Sequence, residues 1–141
     1  MPDGEHSSIA WLIWHAARQQ DAQIADISDA PQVWQAQAWA EHFGVDRPVE
    51  ANGFGDSPSD AARVRVVDPA LVSGYLEAVV AQVIDYVAQL SPTELDDIVD
   101  VRWDPPVTRG ARIVSTIDDA AAHVGQAAYL RGLLENWRIG Y

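Results

Sequence analysis

Two histidines stand in apolar, helix-forming sequence about a hundred residues apart. His15 lies in Ile9-Ala-Trp-Leu-Ile-Trp-His-Ala-Ala-Arg-Gln-Gln-Asp21, and His123 in Asp119-Ala-Ala-Ala-His-Val-Gly-Gln-Ala-Ala-Tyr-Leu-Arg-Gly132. Imidazole titrates near neutral pH and is the commonest metal ligand. If the two meet in a helical core, they are metal ligands, a general base, or buried hydrogen-bonding groups. Asp119 precedes His123 by one helical turn and shares its face. It has three readings: an acceptor that fixes the imidazole tautomer, a third ligand in a two-histidine, one-carboxylate set with open positions, or a plain helical pair.

Around these stand candidates to hold a bound molecule. Gln126 shares the His123 face, and Tyr129 follows it along the same helix. The chain has six tryptophans. Most are expected to fill the core, with Trp11 and Trp103 as walls of an aromatic pocket. Asp21 falls off the His15 face and reads as a solvated carboxylate. His6 lies near the terminus, and His42 near a helix end where an imidazolium suits the dipole; neither reads as a ligand.

Composition removes other chemistries. The chain has no cysteine, and all nine basic residues are arginine. Thiolate metal sites, cysteine nucleophiles and lysine Schiff bases are therefore excluded. No Gly-x-Ser-x-Gly elbow, phosphate loop or dinucleotide fingerprint occurs, and Gly53-Phe-Gly-Asp56 reads as a flexible turn. A net charge of -12 argues against nucleic acid and anionic membrane partners. No run of about 18 apolar residues and no leader pattern is evident, so the expectation is a cytoplasmic protein. With 141 residues, 48% of them hydrophobic, the expectation is one domain over 1–141.

The positioning elements are expected to be helical. A first helix starts at Ser7 or Ser8 and ends near Ile27, and a second runs from Pro31 to Phe43. Residues 44–57 read as loop, with a short helix after Ser57. Asp68-Pro69 opens a long helix with an apolar stripe from Leu71 to Leu90. Ser91-Pro-Thr-Glu94 has the form of a capping box. The last helix spans about Thr108 to Trp137, with Ile113, Ile117, Ala120, Ala121, Val124, Ala128 and Leu134 as its buried stripe. Gly125 and Gly132 would let a neighbour approach closely. Val64–Val67 is the only strand-like fragment, so the class is all-α.

Pro2-x-Gly4, Ser7-Ser-Ile-Ala-Trp-Leu-Ile-Trp-His15 and Asp21 together resemble the second helix of the DinB/YfiT-like superfamily. Trp103-Asp-Pro-Pro-Val-Thr108 and His123-Val-Gly-Gln-Ala-Ala-Tyr-Leu-Arg-Gly132 are similar to its last helix in an actinobacterial branch. The resemblance implies a four-helix bundle of up-down-down-up type, with the usual first helix missing from this chain. It further implies a divalent metal, zinc or nickel, held by three histidines, and transfer of a low-molecular-weight thiol such as mycothiol to a small electrophile. Asp21 then matches a polar position near the site. The third histidine position is Ala127, which cannot ligate, so the alternative is a decayed small-molecule-binding or dimerising helical module. The missing first helix implies an apolar groove and a homodimer.

Overall fold

The computed structural model describes residues 7–138 and 140. Three long helices dominate: α1 (Ile9–Ser28), α5 (Pro69–Gln89) and α6 (Arg109–Glu135). Between α1 and α5 lie the short α2 (Val33–Ala36), α3 (Trp39–Phe43) and α4 (Pro58–Ala61). A 3₁₀ turn (Pro92–Asp96) and a two-stranded ribbon, β1 (Ile98–Asp100) and β2 (Val107–Thr108), join α5 to α6. The architecture is the all-α fold that the sequence suggests, with the bundle's long helices numbering three among the described residues.

The caps follow from local chemistry. The Ser8 hydroxyl accepts the Trp11 N–H at 3.1 Å and starts α1. The Asp68 side chain does the same for Ala70 at 2.9 Å ahead of Pro69. The Ser91–Glu94 capping box is present, but it opens a 3₁₀ turn. Thr108 caps α6 by accepting from Ala111 N–H.

α1 is the central helix, packed against both α5 and α6. It is therefore buried almost all round, including Arg18, Gln19, Gln20 and Asp21 in mid-helix. The aromatic core is Trp14, Trp34, Phe43 and Tyr75, with the Trp34 ring 5.1 Å from Phe43 and 5.0 Å from Tyr75 between centroids.

Several expectations are corrected. The helix expected over Pro31–Phe43 is two short pieces, because Ala38 takes a left-handed conformation (φ 57°) between them. Val64–Val67 forms no strand; among the described residues the strands are β1 and β2, antiparallel with Ile98 opposite Thr108. These segments are too short to show an alternating pattern. On α6 only Ile113, Thr116 and Ala127 are buried, while Ile117, Val124 and Leu134 are exposed. Gly125 meets no neighbour, whereas Gly132 approaches the Trp137 carbonyl. α5 also has the length and hydropathy of a membrane-crossing helix, contrary to the expectation that no stretch reaches that threshold. In this fold its Val72, Tyr75 and Val79 are buried in the core.

Candidate metal centre and adjoining cavity

α1 and α6 bring His15 and His123 together, with ring centroids 4.7 Å apart and planes at 78°. Asp119 completes the group. One ligand atom from each of His15, Asp119 and His123 lies within 4.8 Å of the other two. Zinc at about 2.0–2.1 Å from each donor spaces tetrahedral ligands by about 3.4 Å, so closing on an ion takes side-chain movements on the order of 1 Å.

Both imidazoles are oriented from behind. His15 Nδ1 is 2.5 Å from the Asn52 carbonyl and donates to it in the tautomer that leaves Nε2 as a free acceptor. His123 Nδ1 donates in the same sense to Gln126 Oε1 at 3.1 Å. Its Nε2 faces Asp119 Oδ1 at 3.6 Å. An outer acceptor on one ring nitrogen is how ligating histidines are usually held. Burial lowers the His15 pKa, opposed in part by the Asn52 carbonyl and reinforced by His123. A neutral imidazole is the form that binds metal. Asp119 Oδ2 is buried and has no hydrogen-bond partner among the described residues. A cation is the chemistry that would satisfy this oxygen, so the residues present fit a divalent metal.

Trp11 forms the back wall. Its ring stacks on His15 at 4.8 Å and meets His123 edge-on at 6.1 Å. Its Nε1–H donates to Asp56 at 2.8 Å. Asp56 also accepts from both Arg47 guanidinium nitrogens, Nη1 and Nη2. Burial alone would raise the Asp56 pKa; hydrogen bonds from Arg47 and Trp11 outweigh it and hold the carboxyl below its usual range. Its folded pKa is thus depressed, so its contribution to stability is full above the unfolded value of about 3.9 and fades as pH falls through the lower, folded value. Asp56→Asn should therefore flatten the acid limb of stability below about pH 4, read by thermal unfolding across pH. An unchanged acid limb would show that this pair is not a significant titrating element.

The loop carrying these groups is structural at the site, which corrects its reading as a flexible turn. Gly53 is buried with φ +95°, and a Cβ there would stand 2.5 Å from His15 Nδ1. The residue pattern marks Gly53 and Asp56 as a turn and gives neither them nor Asn52 a part in the site. The glycines mark a positive-φ turn, but nothing local says which side chain the turn abuts.

A cavity of about 750 Å³ opens beside the triad, lined in part by His15, Asp119, Phe54, Trp103, Arg102 and Arg112. Trp103 is thus at the site, as expected, although 65% exposed. Gln126 is also there, acting on His123. Two candidates are not. Tyr129 is largely exposed and lines a separate depression with Gly125, Leu133 and Trp137. Asp21 is neither solvated nor in the cavity. It is buried and accepts the Val33 and Trp34 N–H groups at 2.8 Å and the Tyr75 hydroxyl at 2.7 Å. The cause is topological: α2 turns back so that its free N–H groups meet α1. Ala127, the position at which the resemblance implies a third histidine, is buried in the hydrophobic cluster that includes Trp11, whereas Asp119 stands one turn before His123. His42 is exposed at the end of α3, packed on Trp39; His6 and Pro2-x-Gly4 lie outside the described residues.

A family model described as the DinB superfamily matches residues 1–127. A crystal structure of a conserved protein from Enterococcus faecalis is similar at 42% identity and a TM-score of 0.90, covering 97% of this chain and 81% of that one. Among curated proteins none matches.

Proposed function

From the premise that the chain belongs to the DinB superfamily, we propose that it is a metal-dependent thiol S-transferase with His15, His123 and Asp119 as ligands. The observation that carries this reading is the triad itself: two imidazoles oriented from behind, and a carboxylate oxygen buried without a partner, beside a cavity of small-molecule size.

A bound zinc or nickel ion would supply Lewis acidity, making thiolate from a low-molecular-weight thiol such as mycothiol at neutral pH. The chain's residues do the rest. Asn52 and Gln126 hold the two imidazoles with Nε2 presented to the site. Trp11 excludes water from one side. Phe54 and Trp103 offer apolar faces to an electrophile. The sulfur forms a new bond to carbon, the leaving group departs with its electron pair, and the thiol proton passes to solvent. The reading places the protein in the cytoplasm, where such thiols are kept reduced.

The test is metal affinity in untagged protein. About one zinc or nickel per chain is expected, and His15→Ala or His123→Ala should each weaken it by two to three orders of magnitude, the scale of one ligand among three. Metal-dependent transfer of mycothiol to a haloarene should follow. Ala127 favours a second reading, a binding module whose site has lost a ligand. Protein that takes up no metal when zinc and nickel are supplied would establish that reading and overturn the enzyme.

We also propose that the partner, besides a small thiol, is a second copy. Val80, Ile84 and Val87 form an exposed apolar strip on α5, and Val114, Ile117 and Val124 another on α6. Exposed strips of this kind favour self-association. Sedimentation should show a dimer that Ile84→Glu with Ile117→Glu converts to monomer; a parent that is monomeric at micromolar concentration refutes it.

A further inference from the structure

The wall of the cavity away from the triad carries an imbalance of charge. Asp100, at the end of β1, is buried, yet two guanidiniums converge on it. Arg102 Nε and Nη2 donate to its two oxygens at 2.9 and 2.8 Å, and the Arg102 backbone N–H adds a third bond at 3.0 Å. Arg112, from α6, donates Nη2 to Asp100 at 2.8 Å and Nη1 to Gln23 Oε1 at 2.8 Å. These hydrogen bonds hold the Asp100 carboxyl far below its ordinary pKa, the Arg102 side chain contributing most. At this wall one hydrogen-bonded carboxylate thus faces two guanidiniums, with Asp26 acting on Arg102 only through space and Asp119 standing at the triad end of the cavity, so the wall is locally cationic in a chain of net charge -12.

This charge is presented to solvent. The Arg102 side chain is 81% exposed, whereas that of Arg112 is 20% exposed. Asp100 occupies the Nε and Nη2 edge of Arg102, and Nη1 has no partner among the described residues. The guanidinium is thereby fixed in orientation with donors to spare, which lowers the ordering cost of gripping an anion. Trp103, the next residue, and Phe54 place exposed aromatic surface on the same cavity.

We propose that the molecule bound in this cavity carries an anionic group, a carboxylate in the simplest form, received by Arg102 while its apolar body lies on Phe54 and Trp103 and its other end reaches the triad. This names a substrate class for the same site and rests on the reading of the triad as the reacting end. Arg102 is a specificity-determining residue here, Asp100 and Arg112 its positioning partners. A charge-assisted contact of this kind discriminates an anion from its neutral analogue by roughly ten-fold or more.

The probes are 3-phenylpropionate and 3-phenylpropionamide, equal in shape and different in charge. Binding is read by tryptophan fluorescence on the metal-free 141-residue chain, so that the carboxylate has no metal to bind. The parent should favour the acid by about ten-fold, with the preference shrinking as salt rises. Arg102→Gln should bring the ratio near one with a fall in melting temperature that stays small because Arg112 still pairs with Asp100, and Arg102→Lys should keep part of the preference. His15→Ala should leave the ratio intact. Equal binding of acid and amide by the parent, or a preference that survives Arg102→Gln, overturns the proposal. Failure of the metal reading shows separately, as absence of metal uptake by a protein that still prefers the acid.

Discussion

Asp21→Ala should cost about 3–5 kcal/mol of folding stability, the scale for removing one partner of a buried ion pair. Asp21 and Arg18 are both fully buried on α1, 3.5 Å apart. Asp21 accepts two backbone N–H groups at the start of α2 and the Tyr75 hydroxyl from α5. Burial raises the Tyr75 pKa well above its ordinary value, so the phenol stays a donor. Arg18 ties the same point to the Ala51 carbonyl at 3.1 Å and to Gln32 Oε1 at 2.9 Å. Removal of the carboxylate leaves two N–H groups and a phenol without their acceptor and the buried guanidinium without its counter-charge. Since domains of this size are stable by only about 5–15 kcal/mol, the effect should be plain in urea unfolding. The pair Arg18→Met with Asp21→Asn should recover part of the loss, because no lone buried charge remains. A cost below about 1 kcal/mol for Asp21→Ala would show that water replaces the carboxylate and that the network is not what fixes α2.

The second large effect is on the site. Gly53→Ala should weaken zinc binding by about 10–100-fold, the range found when the groups that orient metal ligands are lost. At φ +95° a side chain is strained whatever the space, and here a Cβ would also lie 2.5 Å from His15 Nδ1 and 3.0 Å from Cγ. Relief requires His15 to leave the Asn52 carbonyl, which frees the ring to rotate its Nε2 away from His123 and Asp119. Gly55→Ala separates strain from contact. It also has positive φ (+74°), but nothing lies within 4 Å of its added carbon. It should lose stability and keep metal affinity. If zinc titration finds Gly53→Ala as tight as the parent, His15 is not held by this loop in the way described.

The three long helices and their starts were legible in the chain itself, whereas the break at Ala38 was not. Ser8 and Asp68 cap α1 and α5, as short polar side chains before apolar periodic sequence lead one to expect, and Thr108, expected as the approximate start of the last helix, is the cap of α6. Such signals act within one helical turn, so no tertiary knowledge is needed to read them. The meeting of His15 with His123, and the share of Asp119 in it, was an alternative that the residue types and the family resemblance left open. Only packing of α6 against α1 brought the three within 4.8 Å.

What tertiary structure alone decided concerns polar groups in long-range contact. Asp21 looks solvated in a helical pattern, yet α1 is enclosed on nearly every side, and a buried carboxylate there is stabilised by donors 12 and 54 residues away in sequence. Arg102, Asp100 and Arg112 are ordinary charges until the β1–β2 ribbon folds their segment over α6. Conversely, Ile117, Val124 and Leu134 carry the right spacing for a buried stripe and remain exposed, because periodicity fixes which residues share a face and cannot say what, if anything, covers it. Local propensity and capping thus reside in the sequence by itself, through interactions a few residues long. Burial, the oriented imidazoles and the two-arginine wall arise only when distant segments exclude water together.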